Sequence, residues 1–377
     1  MSESARKLHQ TPHQGVFHVT GGGSLLLSDL LTEPGASATL LAASVPYATT
    51  ALTQLIGKNP HRSSSAGTAR ALAMAAWQQA RALAPAQGQL FGFGCTAALA
   101  TNRPKRGAHR AHLAVQTLGT TNTLSFFFDK SDTDREREET KIVELAYLLL
   151  QETLAIQLGA SDEHASQPED LSNTISKSPA PPNWQALYNG KVGKVLASAN
   201  TKAPRQPTLL MPGSFNPLHN GHMAMAAYAS TRYAQPVDFE LSVHNVDKPS
   251  LDYADLQLRT QQFADHTLWL TGLPTFLDKA REFPGVTFLV GADTALRIGQ
   301  TKYYRSESAM HAAIEEMASL ETQYLVFGRA QRNRFASLDD LDLPPALRAL
   351  CTGVSESDFR LDLSSTQLRE TSATQAD

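Results

Sequence analysis

Leu209-Leu210-Met211-Pro212-Gly213-Ser214-Phe215-Asn216-Pro217-Leu218-His219-Asn220-Gly221-His222 is the stretch from which the rest of the chain is read. Its apolar start, 209–211, predicts a buried strand that Pro212-Gly213 ends. Asn216-Pro217 is a turn signal, and 223–232 then runs as a helix. A strand, a polar loop and a helix N-terminus in succession present free backbone N–H groups and the positive end of a helix dipole, which suits an anion. His219 and His222 stand three apart at that junction, so both can face one bound group, and Gly221 lets a ligand approach the backbone. Imidazoles beside backbone donors are what a polyphosphate undergoing transfer needs.

Working outward, a chain of 377 residues suits two domains, and 42% hydrophobic with 18% charged residues is ordinary for a globular protein. A net charge of −3 carries no nucleic-acid footprint. Cys95 and Cys351 lie far apart with no metal-ligand spacing, which favours a reducing compartment. No apolar run reaches about 18 residues, so no membrane span or membrane partner is expected. Residues 1–15 are polar, lack a signal-peptide core and read as a loose tail, with the cytoplasm as the expected location.

Between 16 and 158 helix and strand signals alternate: helices over 24–31, 64–83 and 132–158, and strands over 40–47, 90–97, 112–117 and 123–128. Ser, Pro, Asn, Asp and Lys dominate 159–206, which reads as a linker with a short ordered piece near 184–196. From 207 to 372 strands are expected over 208–211, 237–243, 286–290, 324–327 and 359–363, with helices between them that include 253–266 and 307–320. Residues 373–377 form a second tail. The fold class is therefore α/β: a Rossmann-like parallel sheet with helices on both faces, preceded by a separate α/β domain.

In such a sheet ligands bind beyond the carboxyl ends of the strands. Ser214, Asn216, His219 and His222 follow the first expected strand, and His244, Asn245, Asp247 and Lys248 follow the second. Gly291 and Asp293 follow the third, Arg329 and Arg332 the fourth, and Ser364, Ser365, Thr366 and Arg369 the fifth. Together these groups suit a nucleoside triphosphate. Each also has a plainer reading. Lys248, Arg329 and Arg332 can be solvated surface charges, and Asp293 and the Ser-Ser-Thr turn can be simple helix caps. The histidine pair can be surface residues or metal ligands, but no adjacent Glu or Cys completes a metal set, so no protein-held metal is expected. Tyr303-Tyr304 can belong to the core or close over the site.

The segment from Gly213 through Ser214, Phe215, Asn216 and Gly221 to His222 resembles the signature of the nucleotidyltransferases with an H-x-G-H motif. Leu363-Ser364-Ser365-Thr366-Gln367-Leu368-Arg369 is similar to their second signature, I-S-S-T-x-x-R, with Leu for Ile, and Gly291-Ala292-Asp293 to their central G-A-D segment. The Gly-Ser-Phe-Asn-Pro form and the run from Val243 to Lys248 look most like the nicotinamide or nicotinate mononucleotide adenylyltransferases; cytidylyl and pantetheine-phosphate enzymes share the scaffold. The resemblance implies a 207–372 nucleotidyltransferase domain, with ATP and a mononucleotide as small-molecule partners and Mg²⁺ as the cofactor that accompanies ATP. It implies that the mononucleotide 5′-phosphate attacks the α-phosphorus of ATP and pyrophosphate leaves. His219 and His222 would meet the α- and β-phosphates, and Lys248 would neutralise phosphate charge. Ser365, Thr366 and Arg369 would hold the β- and γ-phosphates, with Ser364 beside them. Asp293 would contact a ribose, Asn216 would order the loop, and Asn245 and Arg329 would complete the substrate site. Trp269 could stack on the pyridine ring, with core packing as the plainer role. A non-catalytic nucleotide sensor is the competing reading, and a homo-oligomer is left open.

Thr20-Gly21-Gly22, Glu33-Pro34-Gly35-Ala36-Ser37, Val45-Pro46-Tyr47 and the helix at 68–81 are similar to the CinA C-terminal domain, some of whose members deamidate nicotinamide mononucleotide. The likeness covers 16–158. That family carries a Ser two residues before Thr-Gly-Gly as its expected nucleophile, whereas here the position is His18. Without the hydroxyl the nucleophilic step has no evident group, and Ser24 could replace it only in a rebuilt loop. The first domain is thus expected to bind or to support, having lost amidase activity.

Overall fold

The computed structural model describes residues 2–60, 62–84, 88–102, 106–131, 134–158, 174–197, 205–244, 250–331 and 334–360. The chain divides into two compact units, Met1–Gln185 with Asp247–Asp255, and Ala186–Val246 with Leu256–Asp377.

In the first unit α1 (Glu3–His9), β1 (Gln14–Thr20), α2 (Ser24–Thr32), β2 (Leu40–Ser44), α3 (Thr49–Ile56) and α4 (Ala66–Leu83) lead into β3 (Leu90–Ala98), β4 (Arg110–Gln116) and β5 (Thr120–Phe127). Then come α5 (Arg135–Leu154) and β6 (Ser176–Pro179). Among the described residues the sheet has the order β2-β1-β3-β4-β5-β6, with β1 parallel to β2 and β3 and the remaining pairs antiparallel. Gly92 and Gly94 explain how α4 lies so close on β3. A Cβ on Gly92 would stand 2.1 Å from the Ala73 carbonyl oxygen, and one on Gly94 would stand 2.3 Å from that of Ala69. Glycine on the strand and alanine on the helix let the two backbones meet. The opposite face packs Phe17, Val19, Phe91, Phe93 and Leu113 with Leu26, Ile142 and Leu149.

Two expectations change here. Residues 3–9 are a helix, not a loose tail. The Ser2 hydroxyl caps it by accepting from Ala5 N–H at 3.3 Å, Ala5 and Leu8 are fully buried, and His9 bonds Thr39 and the Leu30 carbonyl. Part of the stretch read as a linker is built into the sheets, since β6 pairs with β5 through Thr120↔Pro179.

The chain continues through α6 (Pro182–Tyr188), β7 (Lys194–Leu196), β8 (Leu209–Pro212), α7 (Asn220–Tyr233), β9 (Val237–Ser242), α8 (Tyr253–Thr260), β10 (Leu268–Thr271), α9 (Phe276–Glu282) and β11 (Thr287–Gly291). It ends with α10 (Ala292–Ile298), α11 (Glu307–Ser319), β12 (Gln323–Phe327), the hairpin β13 (Arg329–Gln331) and β14 (Arg334–Ala336), α12 (Pro345–Arg348) and β15 (Cys351–Val354). Among the described residues the second sheet has the order β15-β12-β11-β8-β9-β10-β7, and every pairing there is parallel except that of β7 with β10. Counted along the chain, its parallel strands lie in the doubly wound order 3-2-1-4-5-6. The expected α/β class holds. The strand expected over 359–363 does not form at Phe359 and Arg360, while 361–363 lie outside the described residues; β15 takes the edge instead. Trp269 packs in the core, 5% exposed, with its Nε1–H donating to Asp238 at 3.0 Å and its ring edge-on to Phe283.

Candidate functional site

The doubly wound order reverses between β8 and β11, which pair through Thr287↔Leu209 and Phe288↔Leu210. A crevice at the carboxyl ends of two such strands is where this topology receives ligands, because the connections leave in opposite directions there. Two groups of expected site residues stand at that reversal. The loop after β8 carries the first, and the start of α10 the second.

The loop is built around Phe215. Its ring is 1% exposed and meets Phe239 and Phe263 edge-on, at 5.7 and 5.0 Å between centroids. Its backbone has φ +41°, a region that non-glycine residues seldom adopt and that the buried ring holds in place. Gly213 lies against that ring, since a Cβ there would come within 2.6 Å of Phe215 Cζ. Ser214 and Asn216 are exposed. Two residues that sequence reasoning missed tie the loop down. Arg259 Nη1 donates to the Ser214 carbonyl at 2.7 Å. The Gln262 side chain donates to the Phe215 carbonyl at 3.1 Å and accepts from Leu218 N–H at 2.8 Å. No motif marks these positions, because both lie inside the helix expected over 253–266 without any change in composition.

His219 is the N-cap of the 14-residue helix α7, and His222 is its third residue. Gly221 N–H donates to His219 Nδ1 at 3.1 Å, so the two rings cap the helix in the reciprocal manner usual for Ser and Glu. The rings stack with centroids 3.8 Å apart and planes inclined by 26°. Burial lowers the pKa of His219; burial, and then the charge of His219, lower that of His222 to about 4. Both rings are therefore neutral near pH 7. With each Nδ1 accepting a backbone N–H, each ring proton sits on Nε2, which is the nitrogen able to donate to a ligand.

At the second group, Gly291 ends β11 and precedes α10, and a Cβ there would meet nothing within 4 Å. Asp293, in the first turn of α10, accepts from Arg329 Nη1 at 2.5 Å. Parallel pairing of β11 with β12 brings these two expected residues together across the strand ends. Tyr304 donates to the Ile298 carbonyl at 2.9 Å, and Tyr303 accepts from Arg297 Nε at 3.1 Å. Asn245, Asp247, Lys248, Arg332, Ser364, Ser365, Thr366 and Arg369 lie outside the described residues. Among the described residues no group of three or more His, Cys, Asp or Glu side chains could hold a metal ion. No helix among them is long and apolar enough to cross a membrane.

In the first unit, position 18 is an imidazole inside β1, 2% exposed, with Nδ1 2.7 Å from Ser44 Oγ. Its Nε2 is buried without a hydrogen-bond partner, and burial pushes its pKa down to about 4. Ser24 is exposed at the first residue of α2.

A comparison with protein-family models finds no match, and a comparison with curated proteins finds none. Solved structures are similar over part of the chain. The competence/damage inducible protein CihA from Agrobacterium tumefaciens is 20% identical over 41% of this chain and 94% of its own, with a TM-score of 0.31. A competence-damaged protein (CinA) superfamily protein from Klebsiella pneumoniae is 16% identical over 41% and 94%, with a TM-score of 0.33. A competence or damage-inducible protein from Enterobacter asburiae is 20% identical over 41% and 92%, with a TM-score of 0.31. TM-scores this low carry no weight for fold or activity.

Proposed function

We propose that the second unit is a nucleotidyltransferase that joins ATP to nicotinamide or nicotinate mononucleotide, giving NAD or its deamido form and pyrophosphate. The observation that carries this reading is the stacked His219–His222 pair, with its ring protons on Nε2, at the N-terminus of α7 beside the reversal of strand order. The motif resemblance selects the reaction; the geometry supplies a physical reason for it.

In this mechanism a 5′-phosphate oxygen forms a bond to the α-phosphorus of ATP as the bond to the β-phosphate bridging oxygen breaks. No covalent enzyme intermediate forms, so the protein contributes position and charge stabilisation. The Nε2–H groups of His219 and His222 donate to phosphate oxygens, and the α7 dipole adds to their effect. With Nδ1 of each ring engaged by a backbone N–H, the histidines act as hydrogen-bond donors, and Mg²⁺ would accompany ATP and supply neutralisation of phosphate charge. Asp293 and Arg329 form an ion pair, so the ribose contact assigned to Asp293 would require that pair to share or open. The first unit is assigned a binding or supporting role without amidase activity, because a buried imidazole occupies position 18.

The test is pyrophosphate release by the full chain with Mg²⁺, ATP or CTP, and a panel of nicotinamide mononucleotide, nicotinate mononucleotide and phosphopantetheine. Release with ATP and a pyridine mononucleotide is expected. Turnover only with CTP or phosphopantetheine would move the assignment within the superfamily. Binding without turnover would favour a sensor.

A further inference from the structure

We infer that Gln262 is a positioning residue for the proposed transfer, acting through the 213–218 loop to orient the His219–His222 pair. This rests on the reading of the second unit given above.

Gln262 sits in the short 3-10 turn Gln261–Phe263 that follows α8. Its amide uses both of its functions on the same loop: Nε2 donates to the Phe215 carbonyl at 3.1 Å, and Oε1 accepts from Leu218 N–H at 2.8 Å. The amide thus closes the loop from Phe215 to Leu218, and Leu218 is bonded directly to His219. A side chain that could only donate or only accept would hold one end alone. Two neighbours fix the amide in turn. Its Nε2 also donates to the Arg259 carbonyl at 3.3 Å, and Arg259 itself donates to Ser214. Phe263, 4% exposed, packs edge-on against Phe215, whose ring is edge-on to His222 at 5.1 Å. The Phe215 ring contacts the His222 imidazole while the Gln262 amide holds the backbone that leads to His219. Neither contact touches a reacting atom. Their joint effect is on the angle at which the two rings meet a phosphate, and a misplacement of about 1 Å in such a site can cost on the order of a hundredfold in rate.

The experiment compares wild type with Gln262→Met, which keeps the volume and removes both hydrogen-bonding functions. Steady-state turnover with ATP and the pyridine mononucleotide is measured, together with ring ¹⁵N shifts of His219 and His222 in full-length protein labelled at histidine. The expected result is a fall in kcat of about 10- to 100-fold with KM values within roughly twofold, and ring shifts that leave the uniform Nε2–H tautomer. Unchanged kcat or unchanged ring shifts in the variant would overturn the proposal. If Gln262→Met fails to fold, Gln262→Glu, which keeps an acceptor for Leu218 N–H and loses the donor to the Phe215 carbonyl, is decided by the same two criteria. If wild type itself shows no turnover with any nucleotide, the assigned reaction fails, and the ring shifts alone decide whether Gln262 orients the pair.

Discussion

The backbone N–H of His219 donates to Nδ1 of His222 at 3.3 Å, and this one bond determines which nitrogen of His222 is left to carry the ring proton. In a capping box that backbone donor is normally met by a Glu or Gln side chain at the third helical position. Using an imidazole instead lets one side chain satisfy α7 through Nδ1 and keep a donor on Nε2, the donor that the proposed reaction directs at phosphate.

Replacing His222 by Ala removes the cap and the donor together. Turnover is expected to fall by more than about a hundredfold, roughly 3 kcal/mol of transition-state stabilisation. Steady-state kinetics with ATP and either pyridine mononucleotide checks this, and a milder loss would take His222 out of the chemistry.

Ligand binding should draw protons from solution in mildly acidic buffer. Burial and the neighbouring ring hold His222 down at about 4. A polyphosphate within reach favours the charged imidazolium and raises that pKa, so uptake occurs between the free and bound values. Calorimetric titration of the triphosphate near pH 5.5 in two buffers of different ionisation enthalpy should report uptake of up to about one proton. The same titration near pH 8 should report almost none.

Stability should decline on the acid side of neutrality. His18 and His222 are both lowered to about 4 in the folded chain, mainly by burial. They regain an ordinary value of about 6.5 on unfolding. The unfolded state therefore binds more protons between those values. The contribution of each group is full above about pH 6.5 and is lost as the pH falls towards 4, at no more than about 1.4 kcal/mol per pH unit for each ring. Urea titrations at several pH values should follow that slope, and His18→Leu should flatten it.

Arg70 holds two carboxylates in the first unit, with Nε 3.0 Å from Asp252 and Nη2 2.6 Å from Asp255. Burial and the adjacent Asp255 push the Asp252 carboxyl up, and Arg70 opposes both. Arg70→Met leaves Asp252 buried without its cation, for an expected loss of about 3–5 kcal/mol. Urea unfolding followed by tryptophan fluorescence measures it. Removing the second partner by Asp252→Asn in the same chain should recover part of the loss.

Much of the architecture follows from local pattern. The apolar run before Pro212-Gly213 is β8, the Ala-rich stretch is α4, and the runs near 287 and 323 are β11 and β12. Residue type, spacing and turn chemistry act over a few positions, so they are readable along the chain. Strand β1 escaped that reading because both its faces are covered and its residues do not alternate. The first helix escaped because its buried stripe is only Ala5 and Leu8 on a polar sequence.

Sequence alone established that imidazoles, glycines and an acidic residue follow successive strands of one α/β unit. The resemblance to the CinA C-terminal domain also singled out His18, where that family carries a serine. Tertiary structure decided which strands are neighbours, and hence that the order reverses between β8 and β11 with the histidine pair beside that reversal. It decided that Asp293 meets Arg329, that Trp269 belongs to the core, and that Arg259 and Gln262 anchor the loop from about 45 positions away along the chain. Such pairings depend on how remote segments pack, and a remote partner leaves no periodicity or spacing in the residues that it will touch.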